Sequence, residues 1–169
     1  MPVDAVTSLA PRWTIRTRSP GDLGQVLYLH GLLYAQEYGF DLSFEEYVAA
    51  GLAEFAASYN PERDRLWVAE ADGRVVGSIA IFGRTKTAAQ LRWFIVHPDH
   101  RGQGLGRVLL AEAIAFCEER AFRTVYLWTL AHLDAARRLY ESFGFRKTEE
   151  KAHVLWGQPL TEERYELRL

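Results

Sequence analysis

The chain has 169 residues, with 20 Lys and Arg against 22 Asp and Glu, a formal net charge of -2. Apolar types make up 49% and charged types 25%, fractions that exclude a disordered chain, a collagen and a disulfide scaffold. The near-neutral balance argues against a nucleic-acid binder, whose affinity comes first from clustered positive charge, and no apolar run approaches the ~20 residues of a membrane span.

Residues 1–12 lack the basic start and apolar segment of a signal peptide and read as a loose N-terminal tail, leaving 13–169 as a single domain. Trp13, Ile15 and Thr17 alternate with basic residues and suit a half-buried strand. Ser19-Pro20 has the form of a helix start, and the helix should run to Tyr38, where Gly39 stops it. Ser43-Phe44-Glu45-Glu46 matches a capping box and should open a second helix with Phe44, Tyr47, Val48, Leu52 and Phe55 on one face, closed off by Asn60-Pro61. The period then changes. Leu66–Glu70 and Val75–Phe82 read as strands joined by an Asp72-Gly73 hairpin turn, and Gln90–Val96 extends the meander.

After His97-Pro98 comes a glycine-rich turn, then a helix from about Gly104 to Arg120. Thr124–Thr129 is a strand, Ala135–Phe143 a short helix closed by Gly144. Phe145–His153 and Arg164–Leu169 are two last strands, joined by a loop holding Gly157 and Pro159. The predicted class is α/β: a mixed, mostly antiparallel sheet with helices on both faces and one parallel pair around a right-handed βαβ crossover.

Arg101-Gly102-Gln103-Gly104-Leu105-Gly106 lies between a strand and a helix. Glycines there let a ligand approach the backbone, and the first N–H groups of the helix form an anion site. A tight turn without any ligand explains the same glycines. The spacing does exclude two rivals: a dinucleotide fingerprint needs glycine where Arg107 stands, and a P-loop needs a Gly-Lys-Ser/Thr ending.

The run Val96–Gly106 resembles the coenzyme A signature of the GNAT family of N-acetyltransferases, with Arg101, Gly104 and Gly106 meeting its pattern. Ala136–Phe145 resembles the family's second hallmark, a helix carrying a tyrosine and ending in Gly-Phe. More narrowly, His30–Gly39, Leu127-Trp128-Thr129, His153 and Trp156-Gly157 look like the acetyltransferase half of bacterial fusions with a MarR-type winged helix. With only a dozen residues before its first strand, this chain is not expected to carry that DNA-binding half.

The resemblance implies an acetyl-CoA-dependent N-acetyltransferase, with acetyl-CoA as co-substrate in a splay between the fourth and fifth strands. Phe94, Ile95 and Val96 would pair with the pantetheine arm, and a backbone N–H near Phe94 would polarise the thioester carbonyl. Gly102, Gln103, Gly104, Leu105 and Gly106 would hold the pyrophosphate, with Arg101 and Arg107 nearby and Ala136 also against the cofactor. Tyr140 matches the family tyrosine proposed to protonate the leaving sulfur. Two departures stand out: Gln90 occupies the position of the glutamate base used by histone-acetylating members, and Leu133 that of a cofactor-touching asparagine. Base candidates are therefore Glu37, Glu70, Glu149, His30, His153 or a water chain.

His30, Tyr34 and Tyr38 are four apart and share a helix face; with Glu37 and His153 they are the candidate acceptor site, suited to a small-molecule amine. The expected transfer is direct, in a ternary complex. The alternatives are a non-catalytic acyl-CoA sensor and a protein or peptide N-acetyltransferase. No metal is expected, because His97 and His100 sit in a proline-containing turn without ligand-spaced partners. The single Cys117 lies among apolar residues and reads as an inert buried thiol. A cytoplasmic protein is expected, acting without nucleic acid or membrane; a homodimer is compatible with the sequence.

Overall fold

A computed structural model describes residues 12–169, so all of the expected N-terminal tail except Arg12 lies outside the described residues. The elements run β1 (Thr14–Thr17), α1 (Asp22–Tyr38), α2 (Leu42–Ala57), β2 (Arg65–Ala71), β3 (Arg74–Gly83), β4 (Ala88–Val96), α3 (Leu105–Glu119), β5 (Thr124–Leu130), α4 (Asp134–Ser142), β6 (Arg146–Leu155) and β7 (Gln158–Arg168). The seven strands form one sheet in the order β1-β2-β3-β4-β5-β7-β6. Among the described residues only β4 and β5 pair in parallel. The α/β class, the mixed sheet and the flanking helices match the sequence-based expectation.

Alternation along the strands builds a core on each face of the sheet. Trp67, Ile79, Ile81, Leu91, Val125 and Leu127 pack under α3, whose Leu105, Leu109, Leu110 and Ala113 recur at helical steps. On the other face Leu66, Val68, Ala80, Phe82, Trp93 and Ile95 pack under α1 and α2, against Val26, Leu33, Val48, Leu52 and Phe55. Both layers leave helix ends at the same edge of the β4–β5 junction, and that placement makes the cleft described below.

Four local expectations need correction. The first helix begins at Asp22, not at Ser19-Pro20, because Gly21 takes a left-handed turn (φ 93°). The buried Asp22 carboxylate instead reaches back to the Ser19 N–H and holds Arg16 at 2.7 Å. Burial pushes that carboxyl up, but Arg16 and the Ser19 N–H outweigh it and hold it below the usual carboxylate range. The second helix is capped by Asp41, which accepts from the Ser43 N–H at 2.9 Å; Ser43 lies inside the first turn and is no cap.

On that helix Tyr47 is half exposed, while Gly51 joins the buried face. The last two strands are longer than predicted and meet in a two-residue turn, Trp156-Gly157 (φ 53° and 87°), not in a loop through Pro159. That turn docks on the α1–α2 junction: the Asp41 N–H donates to Trp156 O at 3.2 Å and Gln158 Nε2 to Tyr38 O at 2.7 Å.

Candidate active site

β4 and β5 are registered only through Ala88–Thr124, Ala89–Val125 and Gln90–Tyr126. Beyond Gln90 the strands part, and a cavity of about 740 Å³ opens between them. The backbone of β4 therefore carries unpaired groups on its β5 side, a template for an added extended chain.

The same stretch of β4 is bulged. Arg92 pairs with Ala80 and Ile95 with Ser78, so Trp93 and Phe94 together oppose Ile79. Trp93 sits at φ 48°, a left-handed conformation rare for a bulky residue and costing roughly 1–2 kcal/mol. Ser78, fully buried, donates its hydroxyl to Trp93 O at 2.6 Å and so satisfies the carbonyl that the bulge displaces from the ladder. The bulge also re-aims side chains. Trp93 and Ile95 pack in the α1/α2 layer, while Phe94 and Val96 turn to the α3 layer.

At one end of the cleft lies the glycine turn. Gly102 (φ 73°) and Gly104 (φ 83°) adopt left-handed conformations, and a Cβ on either would meet only open space. The first bond of α3 runs from the Val108 N–H to Gly104 O, which leaves the N–H groups of Leu105, Gly106 and Arg107 open at the positive end of the helix. This cradle fits a phosphate group. Arg101, Gly102, Gly104, Leu105, Gly106, Arg107 and Ala136 all line the cleft, as do Phe94, Ile95 and Val96. Gln103 does not; it is exposed, its amide turned back towards Asp99 O at 3.4 Å. Arg101 is engaged by the protein itself, through Val96 O at 2.9 Å and Glu37 at 2.8 Å.

Tyr140, on α4, lines the cleft with its ring near Phe94, Phe145 and Tyr165, at 6.0, 5.8 and 6.4 Å. Burial raises its phenol well above the ordinary range, with Tyr34 adding to the effect. It therefore stays protonated at any neutral pH. The other reactive candidate is inert: Cys117 is fully buried in α3, its thiol pushed up to about 12 by burial and by Glu118.

The far end of the cleft is aromatic. His30 stacks on Tyr34 (6.0 Å, 5°), Tyr34 meets Tyr38 at 5.4 Å and Phe44 at 4.6 Å, and Trp156 closes over Phe44 and Tyr47 at 4.9 and 5.4 Å. His30 Nδ1 lies 2.8 Å from Val26 O. A carbonyl only accepts, so Nδ1 carries the proton and Nε2 keeps its lone pair. Burial pushes this imidazole down to about 4, against which the Val26 bond acts weakly. It can accept a hydrogen bond but cannot hold a proton at neutral pH.

Of the candidate bases, the structure brings Glu37 and His30 to the cleft and leaves the rest outside. Glu70 pairs with Arg16 beside β1, and Glu149 with Lys151 on the exposed β6. His153 is corrected as a lining residue: β6 is the edge strand, and the imidazole lies beyond the cavity wall, 2.9 Å from Glu162. Gln90 lines the cleft with its amide oxygen held by Arg84 at 2.9 Å. Glu162, Trp156, His132 and Arg92 line the cleft and were missed as site residues. Glu162 falls in a charged run with no local signature, and the placement of Arg92 and Trp93 on one face depends on a bulge that no glycine announces. Among the described residues no group of three or more His, Cys, Asp or Glu could hold a metal ion.

A mixed sheet opened at its parallel pair, with open helix N–H groups at one end of the gap and a buried, protonated phenol beside it, matches the acyl-CoA cleft that the sequence resemblance implies. The model of the Acetyltransferase (GNAT) family matches residues 26–145. An uncharacterized N-acetyltransferase of Schizosaccharomyces pombe is 37% identical over 123 residues, covering 71% of this chain and 74% of that one.

Among solved structures, a GNAT-family acetyltransferase from Staphylococcus aureus matches with a TM-score of 0.77 at 18% identity, over 93% of this chain and 99% of the other. A Salmonella typhimurium putative acetyltransferase, solved with its cofactor acetyl-CoA, matches with a TM-score of 0.71 at 24% identity, over 94% of both chains. The match spans only 39–53% of the rat, mouse and human members of the N-acetyltransferase 8 group. The chain belongs to the GNAT family of acetyltransferases and is an acyltransferase using acetyl-CoA as co-substrate.

Proposed function

We propose that residues 13–169 form an N-acetyltransferase unit that acts on the amine of a small molecule, by direct attack with both substrates bound. The observation that carries this is the two-ended cleft: open backbone N–H groups at the glycine cradle, and an aromatic chamber roofed by Trp156 at the other end. A roofed chamber suits a compact acceptor better than a protein surface. Within the family we place the chain near the acetyltransferase half of the MarR-type fusions, on the motif residues given above, and in the cytoplasm.

Acetyl-CoA, found with a structural neighbour of this fold, supplies an activated acetyl thioester. The N–H groups of Leu105, Gly106 and Arg107 bind its pyrophosphate, and the open edge from Phe94 to Val96 holds the extended arm. A backbone N–H at the bulge donates to the thioester oxygen; losing one such donor typically costs about 100- to 1,000-fold in rate. Tyr140, always protonated, gives its proton to the departing sulfur. A phenol is a weaker acid than a thiol even at ordinary values, ~10 against ~8.5, and burial raises Tyr140 further, so the transfer is uphill and needs a hydrogen bond shared with the sulfur as its charge develops. Glu162 takes the amine's proton, and the half-exposed His153 beside it passes that proton to solvent. No acyl-cysteine is part of this route, because the chain's one thiol is buried in α3 and does not line the cleft.

Tyr140→Phe should lower thiol release from acetyl-CoA by about tenfold or more, with cofactor affinity by calorimetry essentially kept. Unchanged turnover would remove Tyr140 from the mechanism. Absence of thiol release across a broad panel of small primary amines would overturn the small-molecule assignment.

A further inference from the structure

Three arginines line the cleft. Arg101 is paired with Glu37, and Arg107 stands at the glycine cradle, over the Phe143 ring at 5.3 Å. Arg92 stands apart from both. It pairs in register with Ala80, whose side chain packs in the α1/α2 layer, so Arg92 lies on the acceptor side of the sheet. Its guanidinium is held over the Trp93 ring at 4.5 Å and reaches the Tyr47 hydroxyl at 3.4 Å. Among the described residues no carboxylate pairs with Arg92 or with Arg107, whereas the cleft-lining Glu37, Asp134 and Glu162 all have cationic or titratable partners.

The fold makes room for this group. Gly51 of α2 faces it, and a Cβ there would come within 2.9 Å of Arg92 Nη2 and 3.1 Å of Trp93 Cζ2. The bulge contributes as well, since it places the neighbours Arg92 and Trp93 on one face, where a regular strand would send them to opposite faces.

A guanidinium clamped between aromatic groups in a cleft, without an anion from its own chain, presents a planar fork to a carboxylate. We propose that Arg92 binds the carboxylate of the acceptor, and that the acceptor is an amino acid or amino-acid-like molecule with an apolar or aromatic substituent. Arg92 takes the acid, the chamber of Tyr34, Tyr38, Phe44 and Trp156 takes the substituent, and the free amine faces the thioester. This rests on the small-molecule assignment above and specifies its substrate class. The coenzyme's pyrophosphate is not the partner, because its cradle lies at the start of α3 while Arg92 lies under α2.

The test has two arms. In the first, phenylacetate and phenylacetamide are titrated against the protein loaded with coenzyme A, followed by tryptophan fluorescence. The acid should bind about 10- to 100-fold more tightly than the amide, as a charge-assisted bond implies. Arg92→Gln should abolish the difference, Arg92→Lys should keep part of it, and coenzyme A affinity in each variant reports on folding. Equal binding of acid and amide to the native protein, or a preference that survives Arg92→Gln, would overturn the assignment. In the second arm, phenylalanine, its amide and phenethylamine are compared as acceptors by kcat/KM. Preference for the free acid, lost in Arg92→Gln, supports the substrate class; equal or better use of phenethylamine overturns it. Selective binding of the acid through Arg92 without acetylation of any amine would leave the carboxylate site standing and remove small-molecule transfer.

Discussion

His30 couples the aromatic end of the cleft to the stability of the fold, and the size of that coupling can be worked out. The imidazole is 4% exposed, stacked on Tyr34, and pushed down to about 4, whereas an unfolded histidine titrates near ~6.5. The folded-state value is the lower one, so the unfolded chain takes up the proton first as pH falls. Stability is therefore complete above the unfolded value, is lost progressively between ~6.5 and about 4, and levels off below that. One pH unit in that window corresponds to ~1.4 kcal/mol, which gives a loss of about 2 kcal/mol between pH 7.5 and 5 and about 3 kcal/mol well below 4.

The perturbation is His30→Asn, which keeps a donor for Val26 O and removes the titration. Urea unfolding of both proteins at pH 7.5 and 5.0 gives four free energies, and the carboxylates common to both cancel in the double difference. The native protein should lose about 2 kcal/mol more than the variant on acidification, with unchanged m-values. A double difference within ~0.5 kcal/mol of zero would refute a neutral, buried His30.

Two further substitutions probe the cleft walls. Gly104→Val places a β-branched residue at φ 83°, costing roughly 1–2 kcal/mol in strain, and puts side-chain bulk at the phosphate cradle; calorimetry should show acetyl-CoA affinity reduced by at least about tenfold. Ser78→Ala leaves the buried Trp93 carbonyl without a donor and should lower unfolding stability by about 1–3 kcal/mol, read from the urea midpoint.

Elements such as β4, β5 and α3 were legible because their buried residues recur at the element's own period, and because left-handed glycines mark element ends. Gly39 and the Asp72-Gly73 turn are examples, and both stand where the pattern places them. Helix starts were harder to read. Ser19-Pro20 and Ser43 carry the right residue types, yet Asp22 and Asp41 supply the carboxylates that fix each first turn, one from inside the helix and one from just before it. The glycine cradle and Tyr140 were legible as motifs because they are contiguous in the chain.

The aromatic end of the cleft was legible only in part. His30, Tyr34 and Tyr38 share one helix face, but Tyr47, Arg92, His132, Trp156 and Glu162 come from separate segments that only the tertiary fold brings together. The bulge is invisible to pattern reading for a different reason. A left-handed tryptophan contradicts local preference and is sustained by Ser78, fifteen residues away.

The three-pair junction of β4 and β5 divides the sheet into two panels, one of four strands and one of three, sewn together along a short hem at one end. Along the rest of that boundary the missing stitches are backbone groups of β4, and a chain lying there would complete them. Occupancy and cohesion are then linked: a chain bonded to the open β4 edge ties the panels together wherever it also reaches β5. Saturating ligand at a hundred times its dissociation constant would add about 2.7 kcal/mol to the unfolding free energy. That gain should be concentrated at the open boundary, with amide exchange slowing most from Phe94 to Val96 and least at the hem, where the sheet is already closed.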